Sequence, residues 1–447
     1  MVGIQGVHRK GKFLRMPGHI MNSLESRTLN YTMLSQNGNK GGRVIVIGGG
    51  PAGMMAAGIA ARRGLEVVLL EKNDKLGKKL YITGKGRCNL TNMASLEEYL
   101  NNIPTNPRFL YSALSAFDCN ETVGFFSALG LQTKVERGNR VFPQSDKSSD
   151  VIKALSRMLQ DANVDIQLKA EVRSIHCTQE QVTGVELDDG RILTCDSAVI
   201  ATGGISYPST GSTGDGYEMA QDLGHTVRAP GAALVPFDTV EQWPMSLQGL
   251  TLKNIELFIV SNGKELHRER GELLFTHFGI SGPLVLTASS MVPEEVILRS
   301  NLYIDIKPGI SEDTLDKRII RDFQKFAKKN IKNALAELLP ASMVPVVIRL
   351  WGVEEETAAC QITREKRSEL VKLLKGLVFH VKSFRPVAEA VITRGGVNVK
   401  EINPGTMESK VVKGLFFAGE VLDVDALTGG FNLQIAFSTG YVAGSNC

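Results

Sequence analysis

A single stretch near the start of the sequence limits the chain more than any other: Gly48-x-Gly50-x-x-Gly53, flanked by two apolar runs and followed by an acid. Arg43-Val44-Ile45-Val46-Ile47 reads as a short buried strand, Pro51 to Arg63 as a small-residue helix, and Glu66-Val67-Val68-Leu69-Leu70 as a second strand that ends at Glu71. This is a βαβ unit. In such a unit the first glycine makes the tight turn, the second lets backbone approach a pyrophosphate, and the third allows close helix packing. The helix N-terminus then offers free N–H groups and a positive dipole end to the phosphates. Glu71 is placed to accept hydrogen bonds from an adenosine ribose and to repel a 2′-phosphate. These residues predict a bound dinucleotide without telling NAD from FAD.

Distant segments make that distinction. Ser197-Ala198-Val199-Ile200-Ala201-Thr202-Gly203-Gly204 is a short strand running into Ala-Thr-Gly, as in flavoproteins with two dinucleotides. Leu415-Phe416-Phe417-Ala418-Gly419-Glu420 resembles the flavoprotein motif in which a strand ends at an acid that binds the ribityl chain, and Gly429-Gly430-Phe431-Asn432-Leu433-Gln434 opens a final helix. The free N–H groups of that helix suit the N1/O2 edge of a flavin, where reduction gathers negative charge. FAD is therefore the expected cofactor. Because the chain stops at Cys447, this last helix is expected to be short.

The segment from Lys78 to Asn89, rich in Gly and Lys/Arg, is expected to lie over the flavin and pyrophosphate. The alternative is a solvated basic loop, and with Tyr81 as its lone aromatic an RNA contact is the weakest of the three readings. Cys88 has no second cysteine close by and reads as structural. His277, among apolar neighbours, reads as a satisfied structural histidine rather than a proton donor. The six cysteines include no CxxC pair, so no metal is expected and a reduced cytoplasmic setting fits. Val44 to Ala61 is apolar enough to mimic a membrane span, but its glycine-proline break argues against one.

Residues 1–40 hold six Lys/Arg against one acid, whereas the rest holds 45 basic against 46 acidic residues. The surplus charge belongs to an N-terminal extension expected to be disordered, with Met21 and Met33 as other possible starts. The body carries no argument for a nucleic-acid partner. Residues 41–230 read as the first segment of the dinucleotide domain, mainly helical from 95 to 165 with a break near Arg137-Gly138-Asn139-Arg140. Alternation at 164–194 predicts a small antiparallel element. Residues 231–375 read as an inserted cover domain, with strands to about 305 and helices over 315–339 and 363–377. Residues 376–447 return to the first domain.

Together Gly48 to Gly53, Thr83-Gly84-Lys85-Gly86-Arg87-Cys88-Asn89, Phe275-Thr276-His277-Phe278-Gly279-Ile280-Ser281-Gly282-Pro283, Thr393-Arg394-Gly395-Gly396-Val397 and residues 417–434 resemble the BaiN-like NAD(P)/FAD-dependent oxidoreductases. The resemblance spans residues 42–447. It implies an α/β flavoprotein in which a glutathione-reductase-like Rossmann domain is interrupted by a domain of β-barrel and helices. The residues expected to hold FAD are Gly48, Gly50, Pro51, Ala52, Gly53, Glu71, Lys72, Gly84, Lys85, Gly86, Arg87, Cys88 and Asn89. Further along they are Val172, Ala201, Thr202, Gly203, Gly204, Gly419, Glu420, Asp423, Gly430, Phe431, Asn432 and Gln434.

The expected activity is hydride exchange between flavin N5 and a small organic substrate, with reduction of a carbon–carbon double bond by NAD(P)H as the form the resemblance implies; no second GxGxxG follows a strand, so a nicotinamide donor is expected to bind transiently by another surface. Two rivals remain: RNA modification, motivated by the Lys325 to Lys332 run, and a redox sensor without turnover.

Overall fold

The computed structural model describes residues 41–447; the expected N-terminal extension lies outside the described residues. The apolar runs of the motif region form a five-stranded parallel sheet in the order Leu415–Phe417, Ser197–Ile200, Arg43–Ile47, Glu66–Glu71, Asp165–Leu168. Sequence ends and sequence middle thus meet in one sheet. The strands are buried on both faces, which is why they read as continuous apolar runs rather than as alternation, except for the edge strand Asp165–Leu168, which is exposed or only partly buried.

The helix Pro51–Arg62 packs against the last helix, Phe431–Asn446. Side chains at Gly440 and Gly444 would bring a Cβ within 2.4 Å of the Ala52 and Ala56 carbonyl oxygens, so small residues set this close contact. At 16 residues the final helix is longer than expected.

Asp165–Leu168 corrects another expectation. It is the fifth parallel strand, delivered by the crossover helix Ser148–Asp161, and not part of an antiparallel element. The antiparallel sheet consists of Val172–Thr178, Gln181–Leu187 and Ile192–Thr194. A four-residue strand shows too little of its period to reveal its partners.

A closed barrel of six strands forms the second unit, in the order Phe237–Thr239, Gly279–Ser281, Lys264–Phe275, Thr251–Ser261, Asn301–Asp305, Leu377–Phe384. The barrel closes with a strand beyond residue 375, so the inserted unit runs further than its expected boundary. Its core is separate from that of the parallel sheet and includes Phe275, Phe379 and Leu257 together with Leu315, Ile348 and Leu370 from helices. The expected helix over 315–339 is two, Glu312–Lys325 and Ile331–Leu335. Two antiparallel strands, Val227–Ala233 and Ile392–Val397, carry the chain out to the barrel and back. No helix of the described residues is long and apolar enough to cross a membrane.

Candidate functional site

Between the parallel sheet and the inserted unit lies a cavity of about 970 Å³. Its floor is the glycine motif. Gly48 sits at φ +105°, and a Cβ on Gly53 would lie 1.9 Å from the Gly48 carbonyl oxygen, so neither position tolerates a side chain. A Cβ on Gly50 meets nothing within 4 Å, which leaves open space at the helix start where a pyrophosphate belongs.

Glu71 lines the cavity although it is only 7% exposed. One carboxylate oxygen accepts the Gly49 N–H at 2.8 Å; the other accepts Asn73 N–H at 2.8 Å and Asn73 Nδ2 at 2.7 Å. The acid thereby fixes the glycine turn on the cavity wall. Lys72 also lines the cavity but is paired with Asp215 and Thr213. Val172 and Ala170 complete this end.

At the other end the last helix starts at Gly430, whose φ is +102° and whose Cβ would lie 2.5 Å from the Thr91 carbonyl oxygen. Thr83-Gly84-Lys85-Gly86 turns beside it with Gly84, Lys85 and Gly86 all left-handed. One polar atom on the cavity wall, Asn89 Oδ1, is buried beside Gly430 and has no hydrogen-bond partner. A buried polar atom without a partner costs stability, so it fits a ligand that supplies polar groups. A cradle with open backbone at one end, an acid near the ribose position and an orphaned polar atom at the other suits FAD.

Most expected residues line this cavity: Gly48, Gly50, Pro51, Ala52, Glu71, Lys72, Gly84, Lys85, Arg87, Asn89, Val172, Ala201, Thr202, Gly203, Gly419, Glu420, Gly430, Phe431 and Asn432. Six do not. Gly53 and Gly204 sit behind the wall, where close backbone or Thr393 contacts exclude a side chain. Gly86 serves the turn. Cys88 is fully buried, and burial pushes its thiol up to about 12, so it is no reactive thiol at neutral pH. Asp423 is turned to Asn106, whose Nδ2 donates to its backbone oxygen at 2.7 Å and to its carboxylate at 3.0 Å.

Gln434 is buried and spends all of its side-chain polarity on protein. Its oxygen accepts from Thr91 and Thr122 at 2.6 and 2.8 Å, and its nitrogen donates to Phe117 O and Ser438 at 2.8 and 3.0 Å. His277 also differs from its reading: it is exposed, with its ring against Phe278.

Lys79 lies in the segment expected over the flavin, but its pairing was not foreseen, nor was Asn92. Lys79 donates to both carboxylate oxygens of Glu420 at 2.9 and 2.8 Å, and Glu420 also accepts the Thr393 N–H at 2.8 Å. This carboxylate ties the cofactor wall to the strand returning from the barrel. Asn92 Nδ2 bridges the Gly138 and Gly429 carbonyls at 3.0 Å each. It anchors a hairpin, Thr133–Glu136 with Arg140–Pro143, at the cavity edge. Gly138-Asn139 carried the turn signal for that hairpin. The roof consists of Pro283, Val391, Ile392, Leu427 and Thr428.

A family model described as "HI0933-like protein Rossmann domain" matches residues 42–446. The chain belongs to this HI0933-like family. The family is one of FAD-dependent Rossmann-domain oxidoreductases, in agreement with the cradle described above. Among curated relatives, the 3-dehydro-bile acid delta(4,6)-reductase of Clostridium scindens is 30% identical, over 90% of this chain and 98% of the relative. The ribosomal RNA dihydrouridine synthase of Escherichia coli is 32% identical, over 89% of this chain and 96% of the relative. A solved structure of 3-ketosteroid-delta4-(5alpha)-dehydrogenase from Rhodococcus jostii RHA1 shares the fold of this HI0933-like chain. Its TM-score is 0.50 at 16% identity, over 93% of this chain and 98% of the other.

Proposed function

We propose that this HI0933-like protein is a reductase that adds hydrogen across a carbon–carbon double bond conjugated to a carbonyl in a small organic molecule, with a reduced nicotinamide dinucleotide as donor. The carrying observation is the two-sided cavity: a backbone-built floor for FAD, and over it an apolar roof of Pro283, Val391, Ile392 and Leu427. A roof without charged groups suits an apolar substrate face and keeps water from the reacting atoms. FAD, when bound, supplies the two-electron exchange. The chain contributes the pyrophosphate cradle at Gly48 to Gly53, the ribose contact at Glu71, and the Glu420 carboxylate that joins floor to return strand. The names of the two curated relatives both describe a double bond that becomes hydrogenated.

A second reading, reduction of uridine in ribosomal RNA, draws on the name of the Escherichia coli relative and on the cations at the cavity edge. The charge of the inserted unit counts against it, because residues 231–384 hold 20 Lys/Arg and 19 Asp/Glu. The Lys325 to Lys332 run offers little more, since Lys325 pairs with Glu337.

The test is to reduce the purified yellow protein anaerobically with NADPH and then add 4-androstene-3,17-dione or unmodified ribosomal RNA. Flavin reoxidation with a steroid product carrying two added hydrogens supports the first reading. Hydrogenated uridine would replace it with the second, and a reduced flavin that neither compound reoxidises would sink both.

A further inference from the structure

Cations crowd one edge of the cavity, and most are already matched. Arg87 and Lys134 share Glu136 and Asp146, Lys78 pairs with Asp74, and Lys79 pairs with Glu420. Three are not: Lys85, Arg137 and Arg140 are exposed and make no ion pair among the described residues. Lys85 and Arg140 line the cavity, and the Arg140 Nε donates to the Arg137 carbonyl at 3.0 Å across the hairpin turn.

Both supports are rigid. Lys85 rides on a run of left-handed residues, and the hairpin turns through left-handed Gly138 and Asn139. The turn is held from below by Asn92 Nδ2 on the Gly138 carbonyl at 3.0 Å and by the Met93 N–H on the Asn139 carbonyl at 2.8 Å. Unmatched cations on two braced loops beside a flavin cavity are an anion site with little ordering cost left at binding.

We propose that Lys85, Arg137 and Arg140 receive the phosphates of the reduced nicotinamide dinucleotide, which enters the flavin cavity between the 84–86 turn and the Arg137–Arg140 turn. The inference rests on the oxidoreductase reading and adds the place of the donor. Reduction of a double bond consumes two electrons, and no second GxGxxG strand–helix unit supplies a separate donor domain. At this site the C4–H bond of the dihydronicotinamide breaks, its hydride passes to bound FAD, and the oxidised pyridinium leaves. An extended polyanion needs a long basic track, and the charge-balanced inserted unit provides none; three cations in one lip match the few phosphates of a dinucleotide. Donor and substrate share one cavity, so the oxidised donor leaves before substrate binds.

The decisive measurement is calorimetric titration of the FAD-loaded protein with NADP⁺, which binds without reacting. Replacing Lys85→Gln, Arg137→Gln and Arg140→Gln together is expected to weaken NADP⁺ about tenfold or more, in line with lost charge-assisted hydrogen bonds. FAD content is read from the visible spectrum of each variant so that NADP⁺ affinity is compared per bound flavin, and Lys328→Gln with Lys332→Gln on the distant helical unit should leave affinity untouched. Steady-state turnover of the native protein should give parallel double-reciprocal lines. Unchanged NADP⁺ affinity in the triple variant overturns the proposal, as does loss of binding to a uridine-containing RNA fragment with NADP⁺ affinity intact. A protein that cannot be loaded with FAD at all would instead overturn the oxidoreductase reading.

Discussion

The floor and the roof of the cavity are built on different physical terms. The floor is backbone: Gly48, Gly53 and Gly430 stand where a Cβ would strike a carbonyl oxygen, and Glu71 locks the turn through Gly49. The roof is side chain: Pro283 comes from the inserted unit, Val391 and Ile392 from the start of a connecting strand, and Leu427 from the return segment of the first domain. A backbone-built surface fits one ligand geometry and fails as a whole when altered. A surface of apolar side chains yields by degrees, because each removed methylene contributes only about 0.8 kcal/mol. On the proposed function, the floor fixes the cofactor and the roof is where substrate preference is adjustable.

The largest break in that contrast comes from Gly53→Ala. Its new Cβ would lie 1.9 Å from the Gly48 carbonyl oxygen, so turn and helix must part. Overpacking of this kind costs roughly 1–3 kcal/mol, and the turn it displaces is the pyrophosphate cradle. The purified variant should lack the visible flavin spectrum and melt earlier; a yellow protein with native melting would show that the cradle is not required to be this tight. Glu71→Ala should come next. It leaves the Gly49 N–H without its acceptor, and a hydrogen bond to a charged group contributes about 1.5–3 kcal/mol. FAD affinity measured by fluorescence quenching should fall about ten- to hundredfold, and an unchanged value would remove Glu71 from both of its roles.

This difference also explains what was legible in the sequence. Gly48, Gly53, Glu71 and Gly430 could be read because glycine at a clash position and an acid at fixed spacing leave no equivalent choice. The parallel sheet followed from them. Pro283, Val391 and Ile392 carry no such mark: any apolar residue fills such a place, and only the barrel's position brings them together. The Lys79–Glu420 pair joins residues 341 apart, so its geometry had no local trace. Gln434 misled for the opposite reason. Its place beside Gly430 in sequence suggested a cofactor contact, but one helical turn on, it faces Thr91, Thr122 and Phe117 in the core. The barrel's closing strand, Leu377–Phe384, was lost at the boundary because a helix, Arg364–Lys375, runs straight into it.

A roof variant sharpens the comparison from the other side. Val391 lines the cavity and is 39% exposed, so Val391→Ala removes apolar contact without opening a buried void. FAD affinity should stay at the native value while KM for a hydrogen acceptor shifts about two- to fivefold, the range expected for part of two methyl groups. A fall in FAD affinity equal to that of Glu71→Ala would erase the distinction between the two surfaces.

The smallest expected effect is on pH, at the root of the connecting strands. His225 stands just before Val227–Ala233; its side chain is fully buried, with Nδ1 3.2 Å from Glu401, Nε2 2.9 Å from Ser409, and the ring edge-on to Phe417. Burial holds the imidazole below its ordinary value of 6.5, and Glu401 offsets that only in part. A histidine whose folded value is depressed favours the neutral form in the folded state. Its contribution is therefore present above about pH 6.5 and is lost as pH falls through the lowered folded value. Melting temperature should drop on acidification through this window more in the native protein than in His225→Gln, which has no charge to gain. Flavin absorbance followed alongside melting separates the two sides, because the His225 ring also packs on Phe417, in the strand that runs into the cavity residues Gly419 and Glu420. Equal acid sensitivity of the two proteins would remove His225 as the cause.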